Sequence, residues 1–322
     1  MAIIISVLAC MACAAAGYFA ASLGSEPEGV EPSTLPPTAF VAPPEAFHVS
    51  PCIQNGAVYR DELSVCLLVQ AGGKRLVFGT PLHTNWRAIG PLDAVFMMDG
   101  HPLSSGGLMG LRYESWFDRR DSELLLVSGE LTLDWVQQLD DALIVPDALS
   151  QVGSRNQLDS RRSGFAVRPV LTNASLMSVF NTGDLRVFAS SQLADTGDQL
   201  MSYRVVYEDS VLDIYSCESS RTLMGGEAAT AIFVPVFDQV QLTRHQRFAD
   251  QNRLYARQME IRMAGLNCPS MTEAKDMAQR AAASQLLTQG MTGERAERLF
   301  RDGGVSWSPL TIEGVEVDLA AQ

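Results

Sequence analysis

The residues best suited to chemistry lie in two short segments of the chain. Asp99 and His101 stand two positions apart in the segment Met98-Asp-Gly-His-Pro-Leu-Ser-Ser-Gly-Gly107, which begins at the end of an apolar run. Cys217 and Glu218 follow a second apolar run. Asp99, His101 and Glu218 could together hold one metal ion, whose bound water would act as a nucleophile. Cys217 could itself be a nucleophile if a base lay beside it.

Each of these residues also has a purely structural interpretation. A lone histidine at the start of a loop usually serves hydrogen bonding. An aspartate such as Asp99 commonly caps its own loop through the carboxylate. Cysteines at strand ends are usually core residues, and the sequence places no histidine predictably beside Cys217. The structural interpretation is therefore the favoured one for both segments.

Strand-like runs occur in both halves of the chain, and helical segments follow them. These runs are rich in β-branched and aromatic residues, which favour strands. The first half holds a predicted hairpin and three further strands: 65–69 with 75–78, then 93–98, 124–127 and 143–145. The second half holds four predicted strands: 185–189, 202–207, 211–215 and 231–234. Two strand-rich halves with helices after each indicate an α/β sandwich.

Helices are predicted between and after these strands. One opens within 106–112, one covers 132–139, and a long polar helix covers 239–263. Ser270-Met-Thr-Glu273 is a capping box, which predicts a helix from there to Gly290. A short helix over 294–301 and a closing hairpin over 305–317 complete the expected order of elements.

The N-terminal segment has the composition of a membrane anchor. Residues 2–23 carry no charge, and as a helix they would span about 33 Å, enough to cross the hydrocarbon core. Signal peptides normally begin with a basic residue, whereas the first one here is Arg60. We therefore predict an uncleaved transmembrane helix over 1–24, with cleavage of a signal after Ala20-Ala21-Ser22 as the alternative. The following domain is expected outside the cytoplasm.

A proline-rich segment separates this anchor from the main domain. Seven prolines lie between Ser25 and Pro51. Such a stretch disfavours helices and ladders and tends toward extended polyproline conformation. We predict a semi-rigid linker over 25–56 and a folded domain over 57–322.

Composition and charge limit the class of protein. The chain has 322 residues, of which 47% are hydrophobic and 19% charged, as in ordinary globular proteins. Its net charge of −13 argues against nucleic acid as a partner, because phosphate binding needs clustered Lys and Arg.

The cysteines allow two interpretations. Cys52, Cys66, Cys217 and Cys268 lie beyond the apolar N-terminus, and no Cys-x-x-Cys occurs there, so a structural zinc knuckle is not expected. Buried free thiols are the favoured prediction. A Cys52–Cys66 disulfide is the alternative if the domain is periplasmic, although spacing alone does not establish it.

The first half resembles metallo-β-lactamase-fold proteins. The segment Cys66-Leu-Leu-Val-Gln-Ala-Gly-Gly-Lys-Arg-Leu-Val-Phe78 is similar to their first hairpin, and Met98–Gly107 stands where they carry a loop of the form T-H-x-H-x-D-H-x-x-G. The order of elements from 60 to 319 is consistent with the same family. The resemblance implies a four-layer αββα sandwich. Among branches, the pyrroloquinoline-quinone biosynthesis B protein looks most similar, because its strand also ends in Met-Asp.

The same resemblance implies that the metal ligands have been lost. The family's loop surrounds two zinc ions with two histidines, an aspartate and a third histidine. Laid on this chain, the first histidine becomes Asp99 and the second remains His101. Leu103 and Ser104 take the places of the last two ligands, and four histidines in the whole chain are too few to rebuild them. The resemblance thus assigns a vestigial site to Asp99, His101, Ser104, Cys217 and Glu218.

These inferences lead to a function without catalysis. We expect no bound metal and no cofactor, and hence a pseudoenzyme. The anchor and linker favour a membrane-anchored accessory or assembly subunit, whose partners are the lipid bilayer through residues 2–23 and the membrane proteins of a larger complex. The alternatives are a divergent hydrolase with a single-metal or metal-free site, and a small-ligand binding protein.

Overall fold

A computed structural model of the chain provides the structure of the folded unit. The residues that it describes are 41–52, 66–82, 84–100, 102–118, 120–155, 157–194, 197–217, 219, 222–225, 228–237, 239–254, 258, 268–291, 299–300, 304–310 and 315–317. The predicted anchor over residues 2–23, together with His101 and Glu218, lies outside the described residues.

Seven strands form the first sheet. They are β1 Phe47–Pro51, β2 Leu67–Ala71, β3 Lys74–Phe78, β4 Ala94–Phe96, β5 Leu124–Gly129, β6 Phe165–Val170 and β14 Val315–Glu316. Their spatial order is β14-β1-β2-β3-β4-β5-β6. The pairs β14/β1, β1/β2 and β2/β3 are antiparallel, whereas β3 to β6 run parallel. The predicted hairpin at the start of the domain is therefore β2–β3.

The second sheet also has seven strands. They are β7 Met177–Asn181, β8 Leu185–Leu193, β9 Gln199–Tyr207, β10 Ser210–Tyr215, β11 Ala231–Phe237, β12 Gln285–Met291 and β13 Ser306–Pro309. Their spatial order is β13-β12-β11-β10-β9-β8-β7. The pairs β7/β8, β8/β9 and β9/β10 are antiparallel, whereas β10 to β13 run parallel. Both sheets thus end in a run of four parallel strands.

Helices cover the outer faces of both sheets. Within the described residues they are α1 Trp86–Ile89, α2 Pro102–Ser105, α3 Leu108–Phe117, α4 Leu133–Gly153, α5 Gln239–Gln251 and α6 Met271–Arg280. One apolar core lies between the sheets. A second packs α1, α3 and the start of α4 on the first sheet, and a third packs α6 on the second sheet. The layers are αββα, as the sequence predicted.

Several predicted elements were wrong. Residues 143–145 lie inside helix α4 and not in a strand. The capping box at Ser270 is present, but its helix ends at Arg280, and positive φ at Ala282 (53°) turns the chain into β12. The predicted closing hairpin does not form, because β13 pairs with β12 in the second sheet and β14 with β1 in the first. Strand β14 comes from the end of the chain, yet it joins the first sheet, whose other strands are β1 to β6.

The folded unit begins before residue 57. Strand β1 lies in the segment predicted as linker, and it pairs with β2 from Phe47 to Pro51. Its residues Phe47 and Val49 are fully buried in the core between the sheets. Pro51 is tolerated because it is the last residue of the strand, where a missing N–H removes little of the ladder. Proline content alone therefore placed the domain boundary too late.

All four cysteines outside the apolar N-terminus are paired. Disulfides join Cys52 to Cys66 and Cys217 to Cys268. The favoured prediction of buried free thiols was therefore wrong, and the alternative pairing of Cys52 with Cys66 was correct. The second disulfide had no counterpart in the sequence predictions. In the part of the chain that the structure covers, no helix is long and apolar enough to cross a bilayer.

Candidate functional site

The loop predicted to carry the site leaves the carboxyl end of β4. That strand lies between β3 and β5, so the loop starts at the edge where the parallel strands of the first sheet end. The Met97 N–H donates to the carbonyl of Val127 on β5 at 2.9 Å, and the Met98 carbonyl accepts from the Met201 N–H of β9 at 2.9 Å. The start of the loop is thereby held by both sheets at once.

Tyr203 provides a second link between the sheets at this point. Its ring packs edge-on against Phe78 and Phe96 with centroids 5.3 Å apart in both cases, and its hydroxyl donates to the Met97 carbonyl. Burial, and then the negative charge of Asp99, raise the pKa of Tyr203 well above its ordinary value. The phenol therefore stays protonated and acts as a hydrogen-bond donor, not as a base.

Hydrogen bonds hold the loop in place, one within the loop and two to the segment that follows β3. The Ser104 hydroxyl donates to the Asp99 carboxylate at 3.0 Å. The Thr80 N–H donates to the Ser104 carbonyl at 2.8 Å, and the Gly107 N–H donates to the Thr80 carbonyl at 2.8 Å. A Cβ at Gly107 would lie 2.2 Å from the Pro81 carbonyl oxygen, so only glycine permits this approach. Asp99 thus has the loop-capping role that the structural interpretation gave it.

Gln199 spans the gap between the two sheets at the same edge. It is 3% exposed and begins β9 of the second sheet, yet its amide binds the end of β6 and the turn that follows β5. Its Nε2 donates to the Val170 carbonyl at 2.9 Å, and its Oε1 accepts from the Leu131 N–H at 3.2 Å. Gly129 makes room for it, because a Cβ there would lie 2.4 Å from Oε1. A hydrogen-bonded amide therefore fills this part of the inter-sheet edge.

Cys217 is chemically unavailable. Its sulfur is bonded to Cys268, and the pair borders a small apolar cluster with Phe237 and Leu242. A sulfur in a disulfide is neither a thiolate nucleophile nor a zinc ligand. The suggestion that Cys217 forms part of a reactive site was therefore wrong. Its disulfide links the segment after β10 to the segment before α6.

The described side chains at this edge do not fit the metal centre that the fold family implies. Ser104 donates to the Asp99 carboxylate, and the other described groups there include an amide and a phenol. Among the described residues, no three His, Cys, Asp or Glu side chains converge as a metal site would require. Amide and hydroxyl groups are weak ligands for zinc compared with imidazole and thiolate.

The sequence predicted some of the residues at this edge and missed others. Asp99 and Ser104 are together, as the resemblance implied, whereas the predicted positions of His101 and Glu218 at the site stay predictions. Gln199 and Tyr203 were missed. The alternation of the predicted strand 202–207 could have marked Tyr203 as inward-facing, but nothing in the sequence marks the partners of Gln199.

Comparison with known proteins identifies the fold. No protein-family model matches the chain, and no curated protein does so either. Among solved structures, the metallo-β-lactamase fold protein YhfI from Bacillus subtilis is 10% identical, with a TM-score of 0.51 over 82% of this chain and 96% of YhfI. Unliganded yeast PDE1 is 8% identical, with a TM-score of 0.52 over 85% of this chain and 99% of PDE1.

The chain therefore has the metallo-β-lactamase fold. At these identities the likeness extends to the fold alone. The zinc-bound PqqB of Methylobacterium extorquens is also similar, at 10% identity and a TM-score of 0.47 over 84% of this chain and all of PqqB. That score does not place the chain in the PqqB branch, so the branch stays a prediction.

Proposed function

We propose that this chain is a non-catalytic, membrane-anchored accessory or assembly subunit of a larger membrane protein complex. One observation carries the proposal: the loop that would supply metal ligands is fastened by its own side chains. Ser104, at the position of a ligand histidine in the resemblance, donates to Asp99 at 3.0 Å. A serine hydroxyl engaged in this way stabilises the loop and leaves the carboxylate partly satisfied without a metal.

The neighbouring groups support the same interpretation. Catalytic sites usually hold titratable groups whose pKa values lie near neutrality. Here the pKa of Tyr203 is moved away from neutrality, because burial disfavours the phenolate. Gln199 does not titrate and has both amide ends bound to backbone. These groups join two sheets and have no evident way to move a proton at physiological pH.

The disulfides favour a domain outside the cytoplasm. Structural disulfides persist in oxidising compartments and are rare in cytosolic proteins. Both pairs here, Cys52–Cys66 and Cys217–Cys268, involve all the cysteines that follow the apolar N-terminus. Together with an uncharged segment at residues 2–23, they support a tethered, extracytoplasmic subunit whose partners are membrane proteins.

Metal analysis tests the absence of catalysis. The full chain would be purified from membranes in mild detergent without chelator, and its zinc, iron and manganese content measured. We expect substoichiometric metal in the wild type and in His101→Ala. His245→Ala is the matched control, because His245 lies exposed on α5. One equivalent of metal that is lost in His101→Ala and kept in His245→Ala would contradict the proposal and favour the hydrolase alternative.

Co-purification tests the accessory role. The same detergent extract would be separated by size, and the chain is expected to elute with membrane proteins in a fixed ratio that persists at high salt. Elution of the chain without other proteins, in several mild detergents, would contradict an assembly role. A metal-free chain that elutes in this way would leave the small-ligand binding alternative as the better one.

A further inference from the structure

The second half of helix α4 buries a charged residue and exposes large apolar side chains. The two fully buried residues of α4 are Val136 and Asp147. Four of its large apolar side chains face solvent: Ile144 is 62% exposed, Val145 66%, Leu149 68% and Val152 71%. Surface helices normally bury the apolar stripe and expose the charges. The apolar run at 143–145, which the sequence suggested was a buried strand, thus lies mostly on the outside of the molecule.

Buried ion pairs fix the rotation of α4 that produces this exposure. Arg112 of α3 is 2% exposed and donates to both carboxylate oxygens of Asp147, at 3.1 and 2.7 Å. Its Nε donates to Asp140, seven residues earlier on the same face of α4, at 2.6 Å. Turning α4 to bury its apolar side would strip these charges of their partners, which is strongly unfavourable. The apolar side must therefore be covered from outside.

The exposed apolar side chains form one continuous patch. Ile144, Val145, Ala148, Leu149 and Val152 are spaced by three, four or one residues, so they share one side of the helix over about 12 Å. We call this set the α4 patch. A contiguous apolar patch of this kind on a soluble domain is typical of a contact surface.

We infer that the α4 patch is the contact between two copies of this chain, paired antiparallel about a two-fold axis at Ala148. The charges around the patch favour a second copy. No Lys or Arg lies between Arg120 and Arg155, and the exposed Asp141 precedes the patch. In the antiparallel pair, Asp141 of one copy lies at the level of Arg155 of the other, twice by symmetry. Ile144 then meets Val152 of the second copy.

Arg155 is free to make this contact. It is exposed, and it takes part in none of the ion pairs between described residues. An anionic membrane surface is a poorer occupant for the patch. Asp134 and Asp141 are exposed on the same helix and would be repelled by acidic headgroups. The pairing does not depend on the chemistry of the candidate site, so it stands or falls separately from the proposed function.

Cross-linking at the axis tests the geometry directly. In a full-length Cys10→Ser/Cys13→Ser background, Ala148→Cys places two thiols beside each other across the axis, and mild oxidation is expected to give a covalent dimer. Ala142→Cys is the matched control, because its two copies would be separated by about 18 Å along the helices. Both residues are exposed alanines, so neither change disturbs the fold. Equal cross-linking of both variants, or of neither, overturns the proposal.

The mass of the full chain in mild detergent, measured across a concentration series, tests the contact itself. Leu149→Glu should weaken the dimer by about 100-fold or more, whereas Leu171→Glu, at an apolar side chain 60% exposed elsewhere, should leave it unchanged. Asp141→Arg and Arg155→Asp should each weaken it by roughly tenfold, and the double variant should restore it. A wild-type monomer, or Leu149→Glu affecting only binding to lipid vesicles, overturns the proposal.

Discussion

Replacing Asp147 by asparagine should destabilise the folded domain severely. The Arg112 and Asp147 side chains are 2% and 3% exposed, and their closest atoms are 2.7 Å apart. Asp147 also accepts from the Ser163 hydroxyl. Asparagine keeps the shape of the side chain but removes the charge and places an amide N–H₂ against the guanidinium or the hydroxyl. The positive charge of Arg112 then stays buried with Asp140 as its remaining partner.

The size of the loss in stability depends on how well Asp140 compensates the charge of Arg112. Removing one member of a buried ion pair costs about 3–5 kcal/mol. Asp140 still accepts from Arg112 Nε at 2.6 Å, and its side chain is 25% exposed, so it compensates part of the charge. We therefore expect the lower end of the range, about 3 kcal/mol. For a domain of this size that corresponds to a fall in Tm of about 6–12 °C.

Thermal unfolding followed by circular dichroism measures this effect. Asp141→Asn is the matched control: Asp141 lies on the same helix but is exposed, so its change should stay within about 0.5 kcal/mol. Replacing both members, as Arg112→Met with Asp147→Leu, should recover much of the lost stability, because both fully buried charges are then removed. Asp140 loses Arg112 as a partner, but its side chain is 25% exposed and still accepts from the Phe165 N–H at 3.1 Å. Equal Tm values for Asp147→Asn and Asp141→Asn would refute the conclusion that the buried Arg112–Asp147 ion pair stabilises the fold.

Three further changes probe the inter-sheet edge and the disulfide. Gln199→Leu should lower the free energy of unfolding by about 2 kcal/mol in urea titrations, because it leaves the Leu131 N–H and the Val170 carbonyl without the partners that Gln199 provides. Replacing Cys217 and Cys268 together by serine should lower it by about 4 kcal/mol, since the disulfide closes a loop of 51 residues. Dithiothreitol should lower it further in the wild type, because the reductant also opens Cys52–Cys66. The buried phenol of Tyr203 contributes to the free energy of unfolding as long as it is protonated. That contribution is complete at pH values below the phenol's pKa in the unfolded chain, about 10, and is lost as the pH rises through its raised pKa in the folded protein. Tyr203→Phe should therefore be about 1 kcal/mol less stable at pH 7 but lose less stability between pH 9 and 11 than the wild type; parallel pH profiles for the two proteins would refute this.

The fold could be predicted because its signals are local. The β2–β3 hairpin has two apolar runs around Gly72-Gly73, both with positive φ, so sequence and turn agree. The capping box at Ser270 marked the start of α6 correctly for the same reason. Its end could not be found, because the residues after Arg280 continue a helical composition while β12 is fixed by pairing with β11.

Other features depend on contacts between distant residues, which a single sequence does not encode. The apolar run 143–145 has the composition of a strand but lies in helix α4, and the ion pairs of α4 with Arg112, which hold this run outward, join residues distant in sequence. Gln199 contacts backbone atoms far away in the chain, so neither its type nor its spacing predicted its role. The partner of Cys217 was equally hidden, since spacing does not determine disulfide pairing.

The pairing of β1 with β14 has a consequence for biosynthesis. Of the strands in the described residues, these two are the first and the last in chain order, yet they lie side by side, with β1 between β14 and β2. Until Val315 has been synthesised, β1 presents an unpaired edge, and such edges invite pairing with other chains. A ribosome stalled after β13, or a nonsense mutation there, would release a nearly complete domain whose first sheet is open. Quality-control proteases and chaperones would therefore meet their substrate at this edge.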